Sequence, residues 1–342
     1  MVAAGIAGVT TYGVFTDPNR FTDEPEKTIF VSHGQTFASV ADSLQAKGII
    51  RSRLTFRFVE KVMGGGTRIQ SGKYLFRSGI SNIDLLRALR EGKGAVLIPV
   101  TLAEGLLART QAQLLSRQVG LDSAEFVRLV YDESFAQSLG IASSSLEGYL
   151  MPDTYNLYWQ PDAREVIHRM VERFKFFFND SLQARMDELG WTTNEVVTLA
   201  SIVEGETALP YEMTRISGVY HNRLRKGMRL QADPTIQFMI DDGPRRILHV
   251  DLLRDDPYNT YRRQGLPPGP VNNPGRAAIL AALYPENHRY LFFVANRLGG
   301  HSFSTNFAEH TRNVRMYKRR GLFRLPRAAS SMQDTTVSAL QQ

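Results

Sequence analysis

Between Asn194 and Glu206 the chain reads NEVVTLASIVEGE, a largely apolar run that ends in two glutamates. A segment this apolar belongs in a core, and a carboxylate attached to it is expensive to keep, so the pair at its end constrains both fold and chemistry. Side chains three, four and seven residues back share one face of a helix. For Glu206 these are Val203, Ile202 and Leu199; for Glu204 they are Ser201, Ala200 and Val197, a smaller and more polar set. Glu206 is therefore expected to be the drier carboxyl. Burial without a cationic partner raises a carboxyl pKa, which suits a general acid near neutral pH. The ordinary reading of a helix-terminal glutamate is a solvated one, so the assignment depends on whether the rest of the chain supplies a site.

The length, 342 residues, suits two domains or one elaborated domain, and 43% hydrophobic content leaves ample material for a core. Forty-one basic against 34 acidic residues give a net charge of +7, carried mostly by arginine and spread without a dense block. That balance favours an acidic polymer or an anionic membrane surface as neighbour. With no zinc-finger spacing and no RNP-type aromatic motif, nucleic acid is not the expected partner. The chain has no cysteine, which removes thiol catalysis, disulfides and thiolate metal sites together. Residues 1–16, MVAAGIAGVTTYGVFT, carry no charge. They are short, Gly-rich and without a basic start, and read either as the remnant of an N-terminal membrane anchor or as a flexible tail.

Residues 17–27 read as a linker with two prolines. Then follow a strand over Thr28–Val31, helices over Thr36–Lys47 and Arg53–Met63 stopped by Gly64-Gly65-Gly66, a β-rich piece over Thr67–Phe76, a helix over Ile83–Glu91 and a strand over Ala95–Thr101. This is the pattern of a small α+β module. A faint echo between GQTFASVADSL from Gly34 and GLLARTQAQLL from Gly105 is accounted for by shared helix-turn-helix patterning. Residues 162–189 read as helical with an aromatic stripe at Phe174 and Phe176–Phe178, a strand is expected over Tyr290–Ala295, and the tail 326–342 is expected to be disordered.

Five polar clusters lie between Glu147 and Asn306: EGYLMPDTY (Glu147–Tyr155), the glutamate pair, MRLQADPT (Met228–Thr235), the stretch Tyr258–Pro274 with YNTY and GLPPGP, and GGHSFSTN (Gly299–Asn306). Each alone has an ordinary explanation as a turn or stiff loop. Together they offer carboxylates, aromatics and amides able to stack on and bond a sugar, without metal-type spacing. HExxH, GxSxG and Walker glycine loops are missing, so phosphoryl transfer and serine hydrolysis lose their usual parts. Acid–base chemistry at a glycosidic bond needs only positioned carboxyls and a polar groove.

The stretches EGYLMPDTY, LASIVEGET, NRLRKGMRLQADPT, YNTY, GLPPGPVNNPG and GGHSFSTN, in this order and spacing, resemble the YceG-like proteins, the MltG-type endolytic murein transglycosylases. The resemblance covers Thr28–Lys318 and is weaker in the first hundred residues. It implies an α+β chain with a small LysM-like N-terminal module at 28–100, a mixed α/β catalytic domain at 101–325 and no cofactor or metal. Such enzymes cut glycan strands internally without water and leave a 1,6-anhydro-N-acetylmuramic acid end. By resemblance Glu206, the second acid of the E-x-E pair, is catalytic: neutral, it protonates the leaving glycosidic oxygen, and as carboxylate it then takes a proton from the C6 hydroxyl. Glu204, Glu147, Asp153, Gln231, Asp233, Asn259, Tyr261, His301 and Asn306 are then expected to bind substrate or orient Glu206. The resemblance further implies peptidoglycan strands as substrate, peptidoglycan synthases or division proteins as partners, and a single-pass inner-membrane anchor with the catalytic domain on the cell-wall side. Two features depart from the pattern. Gly205 between the glutamates should loosen the helix end, since glycine costs about 1 kcal/mol there relative to alanine. The N-terminal apolar segment is short and lacks a basic start. The competing readings are a non-catalytic glycan-binding scaffold of the cell-wall machinery, and a pyridoxal-phosphate lyase, for which no lysine sits beside a phosphate-binding loop.

Overall fold

The computed structural model describes residues 13–64, 69–240, 243–296 and 299–319, and mixes helices with four two-stranded antiparallel sheets. The expectations about an anchor at the start, the tail 326–342, Gly65-Gly66 and Thr67 fall mainly or wholly outside these residues. The chain forms two compact units, one comprising residues 1–103, 109–130 and 153–169, the other residues 104–108, 131–152 and 170–342.

In the first unit, strands Glu26–Val31 and Gly72–Arg77 pair antiparallel with Ile29 opposite Tyr74. Alternation sets Ile29, Val31, Tyr74 and Phe76 inward, while Phe30 and Leu75 face out. The inward set packs with Val40, Leu44, Phe56, Val59, Leu85 and Leu89 from the helices Phe37–Ala46, Arg53–Val62 and Asn82–Glu91. These helices start where the sequence supplies an N-cap: Thr36, Ser52 and Ser81 accept the N–H groups of Ser39, Thr55 and Asp84. The stretch read as a linker is partly structured. Pro18–Asn19 pairs with Ile80–Ser81, and the buried Asn19 amide donates to Ile80 O and Asn82 Oδ1, each at 3.0 Å. A second ladder, Ile98–Thr101 with Thr154–Leu157, brings residues beyond 100 into the same unit.

The second unit is built around the glutamate helix, Thr193–Glu206. Thr192 and Glu195 close its start as a reciprocal capping box. Every residue from Val196 to Val203 is buried, so the helix is packed all round rather than on one stripe. The helix Arg276–Leu283 lies against it through a face rich in alanine, and the helix Pro210–Arg225 follows after a Pro at its first turn. The aromatic segment expected as one long helix is two, Ala163–Phe177 and Asp180–Leu189. Asn179 breaks it by accepting the Leu182 N–H as the second helix's cap. Phe174 is buried in the core, whereas Phe176 is exposed. The hairpin Phe292–Ala295 with His301–Ser304 and the helix Phe307–Arg319 complete the unit. Among the described residues no helix is long and apolar enough to cross a membrane.

Candidate active site

Glu206 ends its helix in a cleft of about 320 Å³ within the second unit. Its polar lining is Glu206, Tyr220, Arg223, Gln231, Asp233 and Tyr261, and its aromatic lining is Phe292, Phe293, Phe307 and His310. The Tyr220 hydroxyl donates to Glu206 Oε1 at 2.6 Å. Burial pushes the Glu206 carboxyl up to about 7; the Tyr220 hydrogen bond opposes this, the Asp233 charge adds to it and Arg223 opposes it again. The result is a carboxylic acid that keeps its proton to neutral pH, the property a general acid needs.

Around that group the cleft is held rigidly. The Tyr261 hydroxyl donates to Asp233 Oδ1, and the Asn259 side chain braces the loop below by accepting the Tyr261 N–H at 3.0 Å. Asn259 also donates to Leu252 O and Arg254 O and is fully buried, so it orients Tyr261 and does not reach a ligand. Gln231 lines the cleft with φ of 48°, a left-handed backbone that a non-glycine residue adopts only where the surroundings impose it. Arg223 donates to Leu230 O and Leu291 O and lies over the Phe292 ring, tying the hairpin to the loop before Gln231.

The other expected site residues are elsewhere. Glu204 points away from the cleft, where its carboxylate accepts the Gly275 N–H at 3.0 Å and packs on Gly105. Glu206 is the more deeply buried of the two, but Glu204 is not a solvated acid either. Burial drives it, too, up to about 7, opposed by the Gly275 N–H and reinforced by Glu104. Glu147 is buried: Oε1 accepts from the Ala108 N–H and Asn273 Nδ2 and Oε2 accepts from the Tyr131 hydroxyl, making it a core pin. Asp153 belongs to the first unit, where it accepts the Thr154 N–H. His301 is held by Glu212, which accepts from its N–H at 2.9 Å and contacts Nδ1 at 2.8 Å. Asn306 caps the last helix through the Glu309 N–H. At the end of the polar stretch Tyr258–Pro274 the amides turn inward: Asn272 donates to Ser201 O at 2.8 Å and the Val271 N–H reaches Ser201 Oγ at 2.9 Å. Among the described residues no group of three or more metal-ligating side chains forms a cluster.

Gly205 serves close approach rather than looseness. A Cβ there would lie 2.6 Å from Pro234 Cγ and 2.7 Å from its Cβ, and Pro234 adjoins Asp233. Gly205→Ala should therefore destabilise the protein by about 1–3 kcal/mol despite alanine's better helix propensity, because the ring beside it cannot yield without moving Asp233. Urea unfolding of the variant checks this; a gain in stability would restore the looseness reading.

Sequence reasoning missed Tyr220, Arg223, Phe292, Phe293, Phe307 and His310, which enter from a neighbouring helix, the hairpin and the last helix. The only signal was a helix rich in tyrosine and arginine soon after the E-x-E pair.

Comparison with known proteins agrees with the motifs. Two curated proteins named endolytic murein transglycosylase are similar to the chain. The Bacillus subtilis (strain 168) protein is 27% identical over 329 residues, covering 91% of each chain. The protein of Streptococcus pneumoniae (strain ATCC BAA-255 / R6) is 28% identical over 321 residues, covering 84% of this chain and 57% of its own. A crystal structure of a yceG-like protein from Listeria monocytogenes superposes with a TM-score of 0.60 at 28% identity, over 84% of this chain and 98% of that one. The sequence model of the YceG-like family matches residues 29–316, and the chain belongs to that family.

Proposed function

We propose that the protein is an endolytic peptidoglycan lytic transglycosylase, which cuts the β-1,4 bond between N-acetylmuramic acid and N-acetylglucosamine within a strand and so ends strand elongation. The observation that carries this reading is Glu206, a carboxyl that burial keeps protonated to about pH 7 in a cleft with a polar and an aromatic lining. A sugar ring stacks on aromatic side chains through its C–H face and bonds polar groups through its hydroxyls. Glu206 gives its proton to the leaving oxygen as the C1–O bond breaks. The carboxylate then takes the C6 hydroxyl proton as O6 bonds C1, closing the anhydro ring with no water consumed. Gln231, Asp233 and Tyr261 are the polar groups suited to hold the glycan, with Asp233 also fitted to offset positive charge developing at C1.

The wider reading adds a LysM-like glycan-binding module at 28–100, a catalytic domain at 101–325, a membrane anchor from the N-terminal segment, and synthases or division proteins as partners on the cell-wall side of the inner membrane. The names of the curated relatives support the substrate and the reaction.

The test is digestion of purified glycan strands followed by mass spectrometry. Internal cleavage should yield 1,6-anhydro ends, each lighter by one water than a hydrolytic end. Free reducing ends would sink the transglycosylase reading, and binding without cleavage would establish the scaffold instead. The free-enzyme acid must be protonated, so kcat/KM should fall about tenfold per pH unit above about 7.

A further inference from the structure

We infer that Tyr220 is a positioning residue that occupies Oε1 of Glu206 and so assigns both proton transfers of the reaction to Oε2; this rests on the transglycosylase reading above. The Tyr220 ring is 1% exposed and set edge-on to Phe293, with centroids 5.9 Å apart at 89°. Its hydroxyl is therefore held on Oε1, at 2.6 Å, with no room to swing away. Burial and the neighbouring carboxyl keep the phenol proton in place well above neutral pH, so Tyr220 remains a donor whether Glu206 is neutral or ionised.

A neutral carboxyl that accepts a hydrogen bond does so best through its carbonyl oxygen, which leaves the proton on the other one. The groups facing Glu206 are Tyr220 and Arg223 from the helix Pro210–Arg225, Asp233 from the helix Asp233–Phe238, Tyr261 from the loop and His310 from the last helix. Arg223 is committed to two backbone carbonyls and Asp233 to Tyr261. Among the described residues Glu206 makes no second hydrogen bond. Oε2 is thus the oxygen free to act, and because the Tyr220 hydroxyl stays on Oε1 in both protonation states, the same atom both gives and takes. In the first half Oε2–H passes to the glycosidic oxygen, which leaves with the electron pair of the C1–O bond. In the second, the C6 hydroxyl proton returns to Oε2 while O6 forms the new bond to C1. Tyr220 keeps the proton off Oε1, where it would be held from the substrate, and steadies the carboxylate between the two halves.

Two substitutions test this with opposite signs. Tyr220→Phe removes the donor that favours the carboxylate and leaves burial unopposed. We expect kcat to fall roughly ten- to hundredfold, KM for glycan strands to stay within about twofold, and the basic limb of the kcat/KM profile to move to higher pH. Incorporation of 3-fluorotyrosine at position 220 keeps the shape and strengthens the donor, so the limb should move to lower pH with kcat largely retained. A purely structural role would not shift the limb in opposite directions. If Tyr220→Phe melts early, the fluorotyrosine protein, which keeps the tyrosine contacts, carries the test. Glu206→Gln is the control. Wild-type kcat and pH limb in Tyr220→Phe, beside an inactive Glu206→Gln, would overturn the role of Tyr220 and leave the transglycosylase reading standing. Undiminished activity in Glu206→Gln would overturn that reading itself.

Discussion

Glu206→Gln should abolish anhydro-product formation, by about 10⁴-fold or more, while glycan binding persists within a few fold. Positioned general acid catalysis contributes about 10²–10⁴ in rate, and here one carboxyl serves both the departure of the leaving oxygen and the attack of O6. The amide keeps the shape of the carboxyl, and its carbonyl oxygen still accepts from the Tyr220 hydroxyl that lies 2.6 Å from Oε1. What it lacks is an acidic proton to give and a base to receive one. Mass spectrometry of digested strands and a co-sedimentation assay with insoluble peptidoglycan read the two effects separately. A variant that still makes anhydro ends would remove Glu206 from the mechanism.

The same substitution should stabilise the fold at neutral pH. The folded carboxyl releases its proton near pH 7, against an ordinary value of 4.5. Between these values the folded state holds the proton and the unfolded state does not, so wild-type stability falls as pH rises through that window. Glutamine does not titrate and escapes the loss. The variant should gain on the order of 3 kcal/mol over wild type above about pH 7, and the difference should shrink toward pH 4.5. Denaturant melts at the two pH values measure it, and an inactive variant with raised stability is the signature of a strained catalytic acid.

How much of this was legible in the sequence depends on whether a residue acts through local or distant partners. The glutamate helix and the drier setting of Glu206 follow from spacing alone, because a helix face is set by neighbours three and four residues away. Gln231, Asp233 and Tyr261 are expected at the site from the family resemblance, and they line the cleft with Glu206. Glu147, expected at the site but placed away from the cleft, shows the limit: it answers to the Ala108 N–H and the Asn273 amide, from segments far away in sequence. A single chain gives no sign of which polar residue faces a ligand and which faces an orphaned peptide group. Tyr220 was missed for the complementary reason, since a tyrosine inside an ordinary helix pattern reads as core until Glu206 is seen beside it.

Asn273 shows how costly such a hidden partner is. Its Oδ1 accepts both the Gly148 N–H at 2.8 Å and the Leu150 N–H at 3.1 Å, while its Nδ2 donates to Glu147 Oε1 at 2.9 Å and Leu106 O at 3.0 Å. The residue is fully buried, so no water stands ready to replace it. Asn273→Ala would strand two backbone donors and take a donor from a buried carboxylate, at a cost of about 3–5 kcal/mol. That is roughly a 10 °C loss in melting temperature for a unit of this size. Asn273→Asp keeps the acceptor for the two N–H groups but exchanges the donor for a second carboxylate against Glu147, so it should be no better tolerated at neutral pH. The damage should not stop at stability. Gly148 crosses so close to Pro270 that a Cβ on it would lie 2.4 Å from the ring, and the Val271–Gly275 segment is fastened to the glutamate helix at Ser201 and Glu204. Releasing Asn273 therefore loosens the clamp behind the helix that carries Glu206, and catalysis lost to a misplacement of about 1 Å can reach a hundredfold. Thermal unfolding of Asn273→Ala within about 1 °C of wild type would show that this buried network contributes nothing to the fold.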